Sequence, residues 1–345
     1  MATLVATFGP PGAFVHWSLY ALNTMTGILL GNYDYVSVAT VQDFRTALAS
    51  RQSNNVHLYT DAPERGLSSA FIQGRMPFLA LNEDPADIIG FMLRTYDMDW
   101  KQAVRQTNLS FAATSELFVS PMALRISRSN GLTIGHFIRQ VLQHLGLEAS
   151  DEQFDHIVQR LLPDGTPASK VEEAILSQIA NSAPIGTGLD LSGPELRIVE
   201  ALHVSMRRGE NGEGPGEFRW PAELLLGKGG MDELLDQPIE MVGPARCLVY
   251  GPYLYLPIGV WELTLALEVD ENGSGNSIDV DVFHGVVLHM ETFKLPAKGR
   301  MALIIKFSVT EGREPVQIRV IQREGAIEGK LHIGDIQIRR IAETM

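Results

Sequence analysis

The sequence predicts an α/β region followed by an all-β domain built as an antiparallel sandwich. Three observations carry that prediction. Short apolar runs alternate with helical patterns through about residue 126. Glycine and proline then gather between residues 209 and 239. From Cys247 onward apolar residues recur with period two, in about seven segments separated by turn-like dipeptides such as Asn272-Gly273, Glu311-Gly312 and Glu328-Gly329.

The elements follow in order. Residues 4–8 are an apolar run of strand length, broken by Gly9-Pro10-Pro11-Gly12. A helix is expected over 13–30, closed by Gly31. Residues 35–38 read as a second strand, with Thr40 capping a helix to residue 51. A third strand over 56–60 ends at Asp61-Ala62-Pro63, and a helix over 64–73 follows. A fourth strand over 76–81 leads into Asn82-Glu83-Asp84-Pro85, where Asp84 suits the N-cap and Pro85 the first helical position. Residues 97–117 are helical in pattern, and 122–126 return as a fifth strand. Such alternation calls for a parallel sheet covered on both faces. Further helices are expected over 132–145, from the capping box Ser150-Asp151-Glu152-Gln153 to residue 162, over 171–179, and from Ser192-Gly193-Pro194-Glu195 to about residue 208. This assigns 1–208 to an α/β domain with a helical extension, 209–239 to a connector and 240–345 to the sandwich. The sandwich strands are expected over 248–256, 260–269, 277–283, 286–293, 302–309, 316–322 and 331–340.

Composition narrows the function classes. Apolar residues make up 45% of the 345, enough for two buried cores. The net charge of −13 is spread evenly, −6 through Asp190 and −7 beyond it. No basic footprint for a phosphate backbone exists, which argues against nucleic acid as partner. The same charge repels an anionic membrane surface. The apolar stretch 13–30 is interrupted by His16 and Asn23, so it reads as a buried helix rather than a transmembrane segment. With no basic, apolar leader at the N-terminus, a cytoplasmic location is the default expectation. Cys247 is the single cysteine, so neither an intrachain disulfide nor a multi-cysteine metal site is available.

The N-terminal arrangement resembles the sulfotransferase branch of the P-loop fold. The resemblance is carried by the strand, glycine-rich turn and helix over 4–17, by Glu83-Asp84-Pro85-Ala86-Asp87, and by the helical stretch 132–158. It implies a nucleotide site for an adenylyl-sulfate donor, with Gly9, Gly12 and Ala13 cradling the anion. The family's cations are replaced, however. The first turn offers no Lys or Arg, and His16 is the nearest side chain that could carry charge. Glu83 stands where the family has an arginine against the cofactor phosphate, and Phe91 where it has a hydroxyl. Arg128 is the candidate to supply the absent positive charge, and His16 or Glu83 the candidate base toward an acceptor hydroxyl. A tight strand-to-helix turn explains the glycines equally well.

The C-terminal segments resemble jelly-roll, carbohydrate-binding-like modules found beside enzymes of bacterial surface-polysaccharide synthesis. Residues 250–257, 259–263, 278–282, 317–320 and 331–336 carry this. Tyr253 and Tyr255 share a strand face and, with Tyr250 and Trp261, could form a platform for sugar rings, or belong to the core. Asp279 and Asp281 also share a face, either as Ca²⁺ ligands or as a solvated surface. Asp61 lies just past a strand end, where open α/β sheets bind ligands.

Three functions follow as expectations. The first is a glycan-associated protein of bacterial surface-polysaccharide metabolism, whose degenerate P-loop-like domain is a scaffold and whose sandwich binds a polysaccharide or docks a biosynthetic enzyme. The second is sulfotransferase-type group transfer to a glycan hydroxyl. The third is a structural homo-oligomer.

Overall fold

A computed structural model describes residues 3–128, 131–182, 191–207, 216–227, 235 and 237–342. The chain forms two compact units. The first contains the described residues through 182; the second contains 191–207 and everything described from 216 onward. Parts of the expected connector, 209–215, 228–234 and 236, lie outside the described residues.

The first unit alternates strand and helix as the pattern requires. Its order is β1 (Thr3–Phe8), α1 (Ala13–Leu30), β2 (Tyr33–Ser37), α2 (Val41–Ser50), β3 (Asn55–Thr60), α3 (Arg65–Gln73), β4 (Phe78–Asn82), α4 (Pro85–Thr95), α5 (Trp100–Phe118) and β5 (Ala123–Ser127). Three helices follow: α6 (Ile134–Leu145), α7 (Asp151–Leu161) and α8 (Val171–Gln178). The five strands are parallel, in the order β2-β3-β1-β4-β5. Side chains alternate across that sheet. Val5, Leu79 and Leu81 pack with α1, α6, α7 and α8 on one face. Ala6, Phe8, Leu58, Phe78 and Ala80 pack with α2, α3 and α5 residues on the other. Capping residues set the helix starts: Thr40 and Asp43 form a reciprocal box for α2, as do Ser150 and Gln153 for α7. The span read as one helix over 97–117 starts later, at Trp100, because Asp99 caps it.

The second unit opens with α9 (Gly193–Arg207), which packs beside β6 (Glu217–Trp220). Then come β7 (Ile239–Glu240), β8 (Arg246–Val249), β9 (Pro252–Leu254), β10 (Gly259–Asp270), β11 (Ser277–His284), β12 (Val286–Lys294), β13 (Gly299–Val309), β14 (Val316–Gln322) and β15 (Lys330–Ala342). They form two antiparallel sheets, β13-β10-β15-β6 with β7 on β15, and β12-β11-β14-β8 with β9 on β14. Two differences from the sequence reading stand out. The stretch read as connector contributes β6 to a sheet. The expected strand 248–256 is broken into β8 and β9 at Gly251, whose φ of 111° only glycine adopts without strain. The core between the sheets is built by alternation: Trp261, Leu263, Leu265 and Leu267 from β10 meet Ile278, Val280 and Val282 from β11 and Ile318 and Val320 from β14, all buried.

Candidate functional site

The turn between β1 and α1 is shaped to hold an anion, and the chain supplies that anion itself. Gly12 is the N-cap of α1 and has no side chain to satisfy the helix's free N–H groups. The Glu83 carboxylate does so: its Oε2 accepts from the Phe14 N–H at 3.0 Å. Glu83 follows β4, which lies beside β1 in the sheet, and that adjacency delivers its side chain to the turn. A Cβ at residue 12 would collide with Glu83 Oε2, so a side chain there must displace the carboxylate. Gly9 is equally confined, since a Cβ there would meet the Leu81 carbonyl oxygen at 2.5 Å. Ala13 is buried as the first residue of the helix.

Arg128 completes this arrangement. Its Nη1 donates to Glu83 Oε1, and its Nε and Nη2 donate to the two Glu172 oxygens, at 2.9 and 2.6 Å. Asp87 lies 3.8 Å from Nη1. Burial pushes the Glu83 carboxyl up to about 7, against the charge and hydrogen bond of Arg128 and the Phe14 N–H. Burial also works against the Arg128 cation, and the bonds to Glu172 and Glu83 outweigh it, so its pKa rises. Arg128 thus sits at the cradle, as expected of a cation there, but it is neutralised by the chain's own carboxylates. His16 lies one turn into α1 and shares no hydrogen bond with Glu83 among the described residues. Its Nε2 is hydrogen-bonded to the Tyr96 hydroxyl at 2.9 Å, and burial lowers its pKa.

In the second unit the aromatic residues separate. Trp261 is fully buried in the sandwich core, where its Nε1–H donates to the Pro257 carbonyl at 2.9 Å and its ring packs edge-on against Phe218. It therefore cannot join a solvent-facing platform: odd-numbered residues of β10 point inward. Tyr250 and Tyr253 do meet, edge to face with centroids 6.2 Å apart. Tyr253 holds φ at 64°, a left-handed conformation costly for a residue with a side chain and concentrated at functional sites. Tyr255 is half-buried, with Leu254 and Leu256 on either side of it in the core.

The two aspartates of β11 are engaged by arginines rather than left to a metal. Asp281 receives both Nε and Nη2 of Arg319, its cross-strand neighbour on β14, each at 2.7 Å. Asp279 accepts from the Thr292 hydroxyl at 2.6 Å and lies 3.6 Å from Arg323. Among the described residues no group of three or more His, Cys, Asp or Glu is placed to hold a metal ion. The Arg319 guanidinium lies over the Phe283 ring at 4.5 Å. Its pKa is raised by the Asp281 hydrogen bonds, opposed by burial, with Cys247 and Tyr253 adding to the rise. The β9–β14–β11 face thus brings Tyr253, Arg319, Asp281 and Phe283 into one neighbourhood. The arginine and the phenylalanine were not legible as site residues, because nothing local marks a cross-strand pair.

No protein-family model matches the sequence, and no curated protein matches it. Among solved structures the chain is similar to mouse sulfotransferase SULT7A1 complexed with PAP, at 10% identity and a TM-score of 0.40, over 61% of this chain and 85% of that one. It is also similar to TmCBM61 in complex with beta-1,4-galactotriose, at 13% identity and a TM-score of 0.24, over 36% of this chain and 88% of that one. The EclA C-terminal domain, a sugar-binding protein, matches at 18% identity and a TM-score of 0.23, over 35% and 89%. These likenesses concern the fold alone. The chain is an α/β unit with a parallel sheet joined to an all-β unit with antiparallel sheets.

Proposed function

We infer that the protein is glycan-associated, with the second unit as the sugar-binding part and the first as a scaffold whose anion cradle is closed from within. One observation carries this reading. On the face of the β9–β14–β11 sheet turned away from the core, a tyrosine in a strained backbone conformation stands near an Arg319–Asp281 pair stacked on Phe283. Aromatic surface suits the C–H faces of sugar rings. A fixed guanidinium–carboxylate plane offers both donors and acceptors to hydroxyls, and a rigid site loses little entropy on binding. Arg319 directs Nε and Nη2 to Asp281, and its Nη1 hydrogens make no other bond among the described residues. The resemblance to modules of bacterial surface-polysaccharide synthesis supports a bacterial polysaccharide as the ligand.

The test is affinity electrophoresis of the full chain through gels containing soluble polysaccharides. Retardation by at least one, lost in Tyr253→Ala and in Arg319→Ala, is the expected result. Absence of retardation on every polysaccharide would overturn the reading.

Donor-dependent sulfuryl transfer is the competing function. It requires Glu83 to leave the cradle, since the carboxylate occupies the helix N–H that a phosphate would use. Calorimetric titration with 3′-phosphoadenosine 5′-phosphate is expected to give no saturable heat at millimolar nucleotide. Saturable micromolar binding would restore the transferase reading.

A further inference from the structure

The first unit contains a cleft of about 570 Å³ beside the cradle, and its lining differs from the cradle in charge and chemistry. It opens at the C-terminal ends of β2 and β3, where open α/β sheets place their ligands. Tyr35 of β2, Tyr59 of β3 and Tyr96 after α4 line it, with His16 of α1, Gln106 of α5 and Asp61 just past β3. Among the described residues no lysine or arginine lines it. We propose that this cleft binds a small organic cation, an ammonium group held among tyrosines and balanced by Asp61. The proposal is independent of the sugar site on the sandwich.

The argument begins with Asp61. Its Oδ2 accepts from Gln106 Nε2 at 3.1 Å, and its backbone carbonyl accepts from the Ser110 hydroxyl, so the side chain is held in place. No lysine, arginine or histidine forms an ion pair with it among the described residues. A partly buried carboxylate without a counter-ion favours a bound cation. The neighbouring groups add no positive charge. Burial lowers the pKa of His16 and so favours its neutral form, and its Nε2 lies within hydrogen-bond distance of the Tyr96 hydroxyl, at 2.9 Å. The Tyr59 hydroxyl donates to the Gly9 carbonyl at 3.2 Å. Burial, with Asp61, Tyr35 and Tyr96 nearby, keeps Tyr59 neutral. The field in the cleft is therefore negative, which rejects phosphate and sulfate, while tyrosine rings attract an ammonium through their quadrupoles. The volume suits a small molecule rather than a bare ion.

The test uses pairs of ligands that differ in charge and little else. The full chain is titrated calorimetrically at pH 6.5 with choline and with its neutral isostere 3,3-dimethylbutan-1-ol. A second pair is glucosamine and glucose, which distinguishes an amino sugar from a quaternary ammonium compound. The expected result is saturable binding of at least one cation, at least tenfold tighter than its neutral counterpart. Asp61→Asn is expected to weaken that binding at least tenfold. Tyr35→Leu, at an exposed position, is expected to weaken it severalfold with an unchanged melting temperature, which keeps the test valid if Asp61→Asn is unstable. Equal affinity for cation and neutral isostere, or no binding of either cation, would overturn the proposal. Tyr253→Ala is expected to leave this binding unchanged, so failure here and failure at the sandwich are read separately.

Discussion

Two arginine–carboxylate pairs among the described residues have a buried carboxylate, and they do opposite things. In the first unit the Glu83 side chain is 0% exposed and Arg128 8%, so the pair is sealed. In the second unit Asp281 is 2% exposed while Arg319 is 28% exposed, so one partner still faces outward. The sealed pair fills a helix N-terminus that could otherwise hold a ligand. The half-open pair lies on a sheet face with an aromatic ring under it and a tyrosine beside it. The same chemistry closes one site and presents another, and the difference lies in what each carboxylate is anchored to. Glu83 is fixed by the Phe14 backbone of another element; Asp281 is fixed by the half-exposed arginine of the adjoining strand.

The largest effect is expected from removing one partner of the sealed pair. Arg128→Ala leaves Glu83 buried without its cation and should destabilise the first unit by about 3–5 kcal/mol. Urea unfolding followed through Trp17, buried in that unit, measures it; a loss below 1 kcal/mol would show that the pair does not hold the turn. Gly12→Ala comes next, since its Cβ collides with Glu83 Oε2 and must displace the carboxylate. A loss of about 1–3 kcal/mol is expected, again confined to the first unit. Arg319→Ala should cost less, about 1–2 kcal/mol, because water reaches the half-exposed arginine and can replace it on Asp281. If Arg319→Ala proved costlier than Arg128→Ala, the contrast between sealed and half-open pairs would fail.

The smallest effect sharpens the comparison by pH. The folded-state pKa of Glu83 is raised to about 7, so at pH between the unfolded value and 7 the folded state keeps a proton that the unfolded chain has released. Its contribution to stability therefore falls as pH rises from about 4.5 to about 7. His57 has the opposite sign. Burial lowers its pKa to about 4, with Nδ1–H donating to Asn23 Oδ1 at 2.7 Å and the Thr7 hydroxyl donating to Nε2 at 3.1 Å. Its contribution rises as pH goes from about 4 to about 6.5, because there only the unfolded chain binds the proton. The two oppose each other over pH 4.5–6.5. Glu83→Gln should expose the His57 rise and His57→Gln the Glu83 fall, each by at most about 1.4 kcal/mol per pH unit. Melting temperatures of the two variants across pH 4–8 test this, and parallel profiles would contradict it.

Much of the architecture could be read from residues near one another in the chain. Asp84 and Pro85 open α4, and Ser150 and Gln153 open α7, because a cap acts within one helical turn. The period-two run of β10 announced a strand, but left Trp261 open between a sugar platform and the core, and only the packing of the two sheets puts it inside. At position 83 the acidic residue was legible as hostile to phosphate. That the same carboxylate would fill the cradle was not, since Phe14 lies 69 residues away. Asp279 and Asp281 were legible as one face of a strand, yet the groups that engage them lie elsewhere: Thr292 on β12, Arg319 on β14 and Arg323 just past it.

The sequence by itself determined the kinds of element and their order, and through them the α/β plus all-β class. Hydrophobic period and capping are local properties, expressed in a strand or helix wherever it is placed. The tertiary structure alone decided which charges meet. Placing β4 beside β1 put Glu83 at the α1 terminus, and the register of β11 against β14 set Asp281 opposite Arg319. Bringing α1, α4 and α5 to the ends of β2 and β3 left Asp61 among tyrosines in a cleft. Sheet order and register arise from long-range packing, and no local pattern in the chain encodes them.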